Sequence, residues 1–275
     1  MATLKQSKNI LRRSSLVKLS HRSTSRDIKI VAEGDSWFDY PFMKDIIDHL
    51  RNRGYAIYKE SHFGDTLEDM VYGTKIRKRD NKNLGSANWK KTHDAIKKYN
   101  PRFVLFSACG NDVIGASLDF YINHHKSGLT HIRNDVFEYM LNKFMKKGIE
   151  DFCKAVWNIK NDIHIIMDGY DYGVPTGKSF HHIRGPWILP TFKAKYINDK
   201  SEMKRIIKFL VDKFNKMLKD LDNKHKNFHH IKLSGMFPNE HDWDNEIHLK
   251  AAGFKKVSEL YHKSICRILG YDPLK

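Results

Sequence analysis

Cysteine is nearly absent. Cys109, Cys153 and Cys266 are the three in 275 residues, far apart and in no Cys-x-x-Cys pair. That argues against a disulfide framework and favours a reducing compartment. Long apolar runs are absent too. "FVLF" (Phe103–Phe106) and "IHIIM" (Ile163–Met167) are strand-sized, whereas a membrane-spanning helix needs roughly 20 apolar residues. No secretory signal is evident, because two arginines interrupt "NILRRSSLVKL" before an apolar stretch can form. These lacks lead to the expectation of a soluble, cytoplasmic protein with no transmembrane segment. Metal motifs are also missing. The pairs His124-His125, His181-His182 and His229-His230 would point to opposite faces of a strand, and no H-E-x-x-H or Cys/His zinc spacing occurs.

Acidic residues are the next shortage. The formal net charge is +17, and residues 1–26 carry seven basic and no acidic side chains. Residues 75–98 have nine basic against two acidic, and residues 193–232 twelve against five. The excess is distributed. It suits an anionic partner, such as a lipid headgroup, nucleic acid or acidic conjugate, although solubility alone is the plainer reading. The cluster "KIRKRDNKNLGSANWKK" holds one aromatic, Trp89, where nucleic-acid binders interleave several, which argues against nucleic acid.

What is present is a core. Hydrophobic residues make up 40% of the chain, with 5 Trp, 12 Tyr and 16 Phe, well away from disorder. Residues 1–26 read as a basic N-terminal extension and residues 27–275 as one domain. Five short apolar segments read as strands: "DIKIVAEG", "YAIYKESHFG", "RFVLFSACG", "DIHIIMDGY" and "FHHIKLSG". Helical periodicity runs over residues 42–53, 135–157, 202–221 and 249–269, the first and last closed by Gly54 and Gly270. Such alternation means βαβ units and a parallel sheet covered on both faces. Residues 114–134 and 173–200 are long connections at the carboxyl edge, where open α/β sheets bind ligands.

Ser36 follows the first strand in "GDSWFDYP". Alone, a Gly-Asp-Ser is most simply a turn or a helix cap. Partners stand at other strand ends: Gly64 in "HFGDTL", Asn111 in "SACGND", and His248 in "DWDNEIHLKAAGF" before the last helix. A serine at a strand tip needs a base to take its proton and donors for the oxyanion that follows. "GVPTGKS" (residues 173–179) is not a phosphate loop, because three residues rather than four separate its glycines and prolines follow.

In this order the set resembles the SGNH hydrolases, the GDSL-type esterase and lipase superfamily, over nearly the whole chain from Ile28 to Leu269. "GDSWFDYP" and "NEIHLKAAGF" look like a bacterial branch of it. The resemblance implies a flavodoxin-like three-layer α/β/α sandwich with a five-stranded parallel sheet, and no metal or cofactor. It implies Ser36 as nucleophile and His248 as base, with an oxyanion hole from the Ser36 and Gly64 N–H groups and the Asn111 amide. The family pattern has Asp three residues before the His; here that position is Asn245. Asn245 is the expected orienter of His248, with Asp244 the runner-up and Asp242 and Glu246 also nearby. Trp37, Tyr40, Tyr121, Tyr172 and Trp187 are candidate pocket walls. The leading function is hydrolysis of an acyl or acetyl ester through an acyl-enzyme, on a small-molecule or lipid substrate. The rival is a catalytically weak binding or effector module on the same scaffold, recognising an anionic partner.

Overall fold

Ile30, Val31 and Ala32 are fully or almost fully buried, as are Val104, Leu105 and Phe106, the mark of strands covered on both faces. In the computed structural model they lie in two adjacent interior strands of a five-stranded sheet. The structure describes residues 29–74, 76–77, 82–83, 85–115, 117–180 and 184–271. The basic extension of residues 1–26 and the His181-His182 pair lie outside the described residues.

The strands are β1 (Ile30–Gly34), β2 (Ile57–Ser61), β3 (Phe103–Ser107), β4 (His164–Asp168) and β5 (Phe228–Ile231). Their order is β2-β1-β3-β4-β5, and every pairing is parallel. This is the flavodoxin-like order, which reverses between β1 and β3, and ligands bind at that reversal. The register puts Gly34 level with both Ser61 and Ser107, so the chain leaves β1, β2 and β3 at one height.

The main helices are α1 (Ile46–Asn52), α2 (Leu67–Tyr72), α3 (Gly85–Tyr99), α4 (Lys146–Ile159), α5 (Lys200–Lys224) and α6 (Ala251–Leu269). Glu33 and Phe106 are register partners and share a face. Thr92 of α3 donates to Glu33, and Phe152 of α4 stacks on Phe106 at 4.0 Å. Asp168 faces the other way and accepts from Tyr261 of α6 at 2.6 Å; α6 also packs against α1. The three layers follow.

Three expectations need correction. The first helix begins at Ile46, not Phe42. Phe42 has φ 69°, in the left-handed region, and Asp45 starts the helix through a capping box with Asp48. The pattern over residues 135–157 is helix (Asn134–Tyr139), π-helix (Met140–Met145) and α4 rather than one α-helix. Residues 114–134 are not an open loop, for they carry a helical turn (Leu118–Tyr121) and an antiparallel bridge between Ile122 and Ile132.

Candidate active site

Gly34 ends β1 where no side chain fits. A Cβ there would lie 2.8 Å from the Phe38 ring and 3.0 Å from the Ser107 carbonyl. The turn that follows is held by Asp35. Its backbone N–H donates to Ser107 O at 3.0 Å, and its carboxylate accepts from Trp37 N at 3.0 Å and Tyr170 Oη at 2.6 Å. Burial pushes Asp35 up to about 7, against the opposing pull of the Tyr170 hydroxyl. Ser36 emerges from this turn.

The partner loop spans residues 242–250. The Trp37 indole donates to Ile247 O at 3.2 Å, tying the two loops together across 210 residues of chain. His248 Nε2 lies 2.7 Å from Ser36 Oγ, and His248 Nδ1 lies 2.9 Å from Asn245 Oδ1. The orientation of the Asn245 amide follows from its neighbours. Its Oδ1 also accepts the backbone N–H groups of Ile247 (3.2 Å) and His248 (3.1 Å), while its Nδ2 donates to Tyr40 Oη at 2.8 Å. An oxygen facing three donors requires a proton on His248 Nδ1, which leaves Nε2 bare to accept from Ser36 Oγ–H. The Tyr40 hydroxyl in turn donates to Asp244 Oδ2 at 2.6 Å. A carboxylate therefore stands behind the amide, one residue away from the expected place.

Burial with no charged partner pushes His248 down to about 3. The ring is packed by Tyr40 at 4.5 Å, Phe63 stacked at 5.6 Å and Trp187 edge-on at 5.6 Å. Ser36 is 4% exposed and His248 1%, so the pair is closed off from bulk water.

Asn111 follows β3 after Cys109, whose φ of 78° is strained for a side-chain-bearing residue. The Asn111 amide donates to Asp65 O at 2.9 Å. Asn111 and Ser36 line one small cavity with Trp37, Ile114, Tyr170 and Ile247; its volume is about 10 Å³, space for about one water. Gly64 sits in the turn after β2 with φ +84°, beside Asp65 but outside the cavity lining.

The remaining acids separate clearly. Asp242 turns toward His241 at 3.6 Å. Glu246 is fully buried, and its carboxylate accepts four backbone N–H groups, from Gly177, Trp187, Ile188 and Leu189, at 2.5–2.9 Å. It pins the residue 173–200 connection against the His248 loop. "GVPTGKS" belongs to this pinned segment, with no strand–loop–helix around it. Tyr121 and Tyr172 are not at the site. Tyr121 donates inward to Asp112 O, and Tyr172 reaches Asp212 on α5. Among the described residues, no group of three or more His, Cys, Asp or Glu could hold a metal ion. No helix among them is long and apolar enough to cross a membrane.

Sequence reasoning missed Asp35, Tyr170, Phe63 and the clamp role of Glu246. Asp35 had a signal, its place inside Gly-Asp-Ser; the others depend on contacts distant in sequence.

No protein-family model matches the chain, and no curated protein matches it in sequence. Solved structures do match in fold. A candidate GDSL-like lipase from Bacteroides ovatus aligns at TM-score 0.51 and 14% identity, over 91% of this chain and 56% of that one, so the chain spans a little over half its length. The extracellular lipase of Streptomyces rimosus aligns at 0.50 and 11%, over 82% and 94%. A family two carbohydrate esterase from Clostridium thermocellum, solved with cellohexaose, aligns at 0.50 and 12%, over 90% and 66%. The chain has the SGNH hydrolase fold.

Proposed function

We propose that the protein hydrolyses a carboxylic ester with a small acyl group, through an acyl-enzyme on Ser36. One observation carries this reading: Ser36 Oγ stands 2.7 Å from a His248 nitrogen that the Asn245 amide leaves unprotonated. The sharing of the fold with lipases and an esterase supports it at the level of acyl-ester chemistry.

Ser36 Oγ attacks the ester carbonyl as its proton passes to His248 Nε2. The carbonyl oxygen becomes an oxyanion, held by the backbone N–H groups of Ser36 and Gly64 and by the Asn111 amide. Collapse breaks the bond to the alcohol oxygen, which takes the proton from Nε2. Water then repeats the sequence on the acyl-Ser36 and releases the acid. The imidazolium formed in each half is the costly species, because an amide and not a carboxylate faces Nδ1. Asp244, reached through Tyr40, supplies the nearest negative charge along the hydrogen-bond chain. The small cavity beside Ser36, walled by Ile114, Ile247, Trp37 and Tyr170, favours a small acyl group over a fatty chain.

The second reading is a binding module that retains the scaffold with little turnover. The neutral amide at Nδ1 and the buried serine favour it. A fluorophosphonate probe followed by intact-mass analysis separates the two. Labelling of the wild type, absent in Ser36→Ala and His248→Ala, is the expected result; a folded wild type that stays unlabelled sinks the hydrolase reading.

A further inference from the structure

Arg184 reaches the site through Phe63. Its guanidinium carbon lies 5.5 Å from the centre of the Phe63 ring, and that ring stacks on His248 at 5.6 Å. Its Nη1 lies 3.5 Å from where a Cβ on Gly64 would be. The residue is exposed, and among the described residues no carboxylate lies within ion-pair distance of it. Lys59 is a contrast: it is already paired with Asp39 at 2.6 Å and Asp45 at 3.7 Å.

The backbone that carries Arg184 is fastened. Phe180 and Arg184 exchange backbone hydrogen bonds at 2.7 and 3.3 Å, and Glu246 grips the chain on both sides, at Gly177 and at residues 187–189. A guanidinium on a fastened backbone, above an aromatic ring and with no carboxylate partner among the described residues, offers its planar donor fork to a carboxylate or phosphate.

The side of the site identifies which part of a substrate it would meet. The cavity beside Ser36 and Asn111 takes the acyl group, whereas His248 hands its proton to the departing alcohol. Phe63 and Arg184 lie on the His248 side. We propose that Arg184 is a specificity-determining residue that recognises an anionic group, carboxylate or phosphate, on the alcohol part of the ester. This rests on the hydrolase reading, and the net charge of +17 would draw such substrates in.

The test compares acetyl esters of one phenol framework: methyl 4-acetoxybenzoate (neutral), 4-acetoxybenzoate and 4-acetoxyphenyl phosphate. The quantity read is the anionic-to-neutral ratio of kcat/KM, in wild type, Arg184→Gln and Arg184→Lys. We expect Arg184→Gln to lower that ratio by about 10–100-fold, mainly through KM, the loss typical of a charge-assisted hydrogen bond. Arg184→Lys should retain part of it. Whichever anionic ester loses more identifies carboxylate or phosphate as the group recognised. An unchanged ratio overturns the proposal, and so does an equal fall in the remote Lys226→Gln, which would assign the preference to overall charge. Calorimetry with phenyl phosphate and 4-hydroxybenzoate runs in parallel. If the wild type neither turns over esters nor reacts with fluorophosphonate, the hydrolase reading fails. Arg184-dependent binding in the calorimeter then upholds the anion site, and its absence overturns it.

Discussion

Among the described residues, two hydroxyl–imidazole pairs have the same length, one buried and one half-buried. Ser36 Oγ lies 2.7 Å from His248 Nε2, and Tyr55 Oη lies 2.7 Å from His262 Nδ1. Burial lowers both histidines. Their surroundings differ. The far nitrogen of His248 meets the Asn245 carbonyl, which sets the tautomer, while both ring nitrogens of His262 lie 3.7 Å from Cys266 Sγ, a weak partner that sets neither. Ser36 stands at a strand tip beside a cavity and Asn111. Tyr55 lies between α1 and β2, packed against α6, and burial pushes its phenol up, away from nucleophilic use. A short hydroxyl–imidazole contact is therefore not enough. Chemistry also needs a fixed tautomer, room for a carbonyl and donors for its oxygen.

The largest expected difference between the pairs comes from removing each hydroxyl. Ser36→Ala should lower ester turnover by about 10³-fold or more. Tyr55→Phe should leave turnover within about twofold while costing about 1 kcal/mol of stability. Initial rates and urea unfolding read the two effects, and a comparable loss of rate in both variants would erase the distinction.

Asn111→Ala strips a donor that the Tyr55–His262 pair never had. Turnover should fall about 10²–10³-fold with little change in KM. A loss confined to KM would move Asn111 from the oxyanion to ground-state binding.

A smaller effect, in the opposite direction, tests the far side of His248. In wild type, hydrogen bonds run from Asn245 Nδ2 to Tyr40 and from Tyr40 to Asp244. Exchanging the two residues, Asp244→Asn with Asn245→Asp, reverses the direction of this chain and leaves every donor an acceptor. It also puts a carboxylate against Nδ1, so turnover should rise about tenfold. Asn245→Asp alone should gain less, because two carboxylates would then compete for one phenol proton. The pH profile carries the sign. Only neutral His248 can take the serine proton, and burial holds it down to about 3. Wild-type labelling should therefore persist through pH 5 and fall off only toward pH 3, with circular dichroism checking the fold at each pH. In the exchanged variant the new carboxylate favours imidazolium, raises that limit and moves the acid limb upward. An acid limb near 6.5 in wild type would mean that water reaches His248 and stabilises its charge.

Much of the architecture was legible in the sequence because it depends on local pattern. Each of the five strands lies within a segment whose apolar run and closing turn residues marked it, and α6 ends at Gly270 (φ +74°) where the glycine indicated. Phe42 misled because it fits the apolar period of residues 42–53. Its left-handed φ and the Asp45–Asp48 capping box exclude it from the helix, and a side-chain cap outweighs one apolar position. The break at Met140–Met145 left no trace in the apolar period. At the site, the chain positions of Ser36, Gly64, Asn111 and His248 were open to reading, since each follows a strand or precedes a helix. Tyr121 and Tyr172 could not be sorted from Tyr40 and Trp187 in the same way, because which aromatic faces the site depends on how its loop folds back.

By itself, then, the sequence determined the order of strands and helices and the appearance of a serine, an asparagine and a histidine at the edges of those elements. Periodicity and turn chemistry act over a few residues, and a single chain displays them. Only the tertiary structure decided the division of labour among Asp244, Asn245 and Glu246. They are consecutive in the chain, yet one accepts from Tyr40, one from His248 and one from four backbone groups of the residue 173–200 segment. Tyr40 lies 204 residues from Asp244, and Leu189 57 from Glu246. Hydrogen bonds across such separations exist only once the sheet has brought its loops to one edge, and no local rule assigns them.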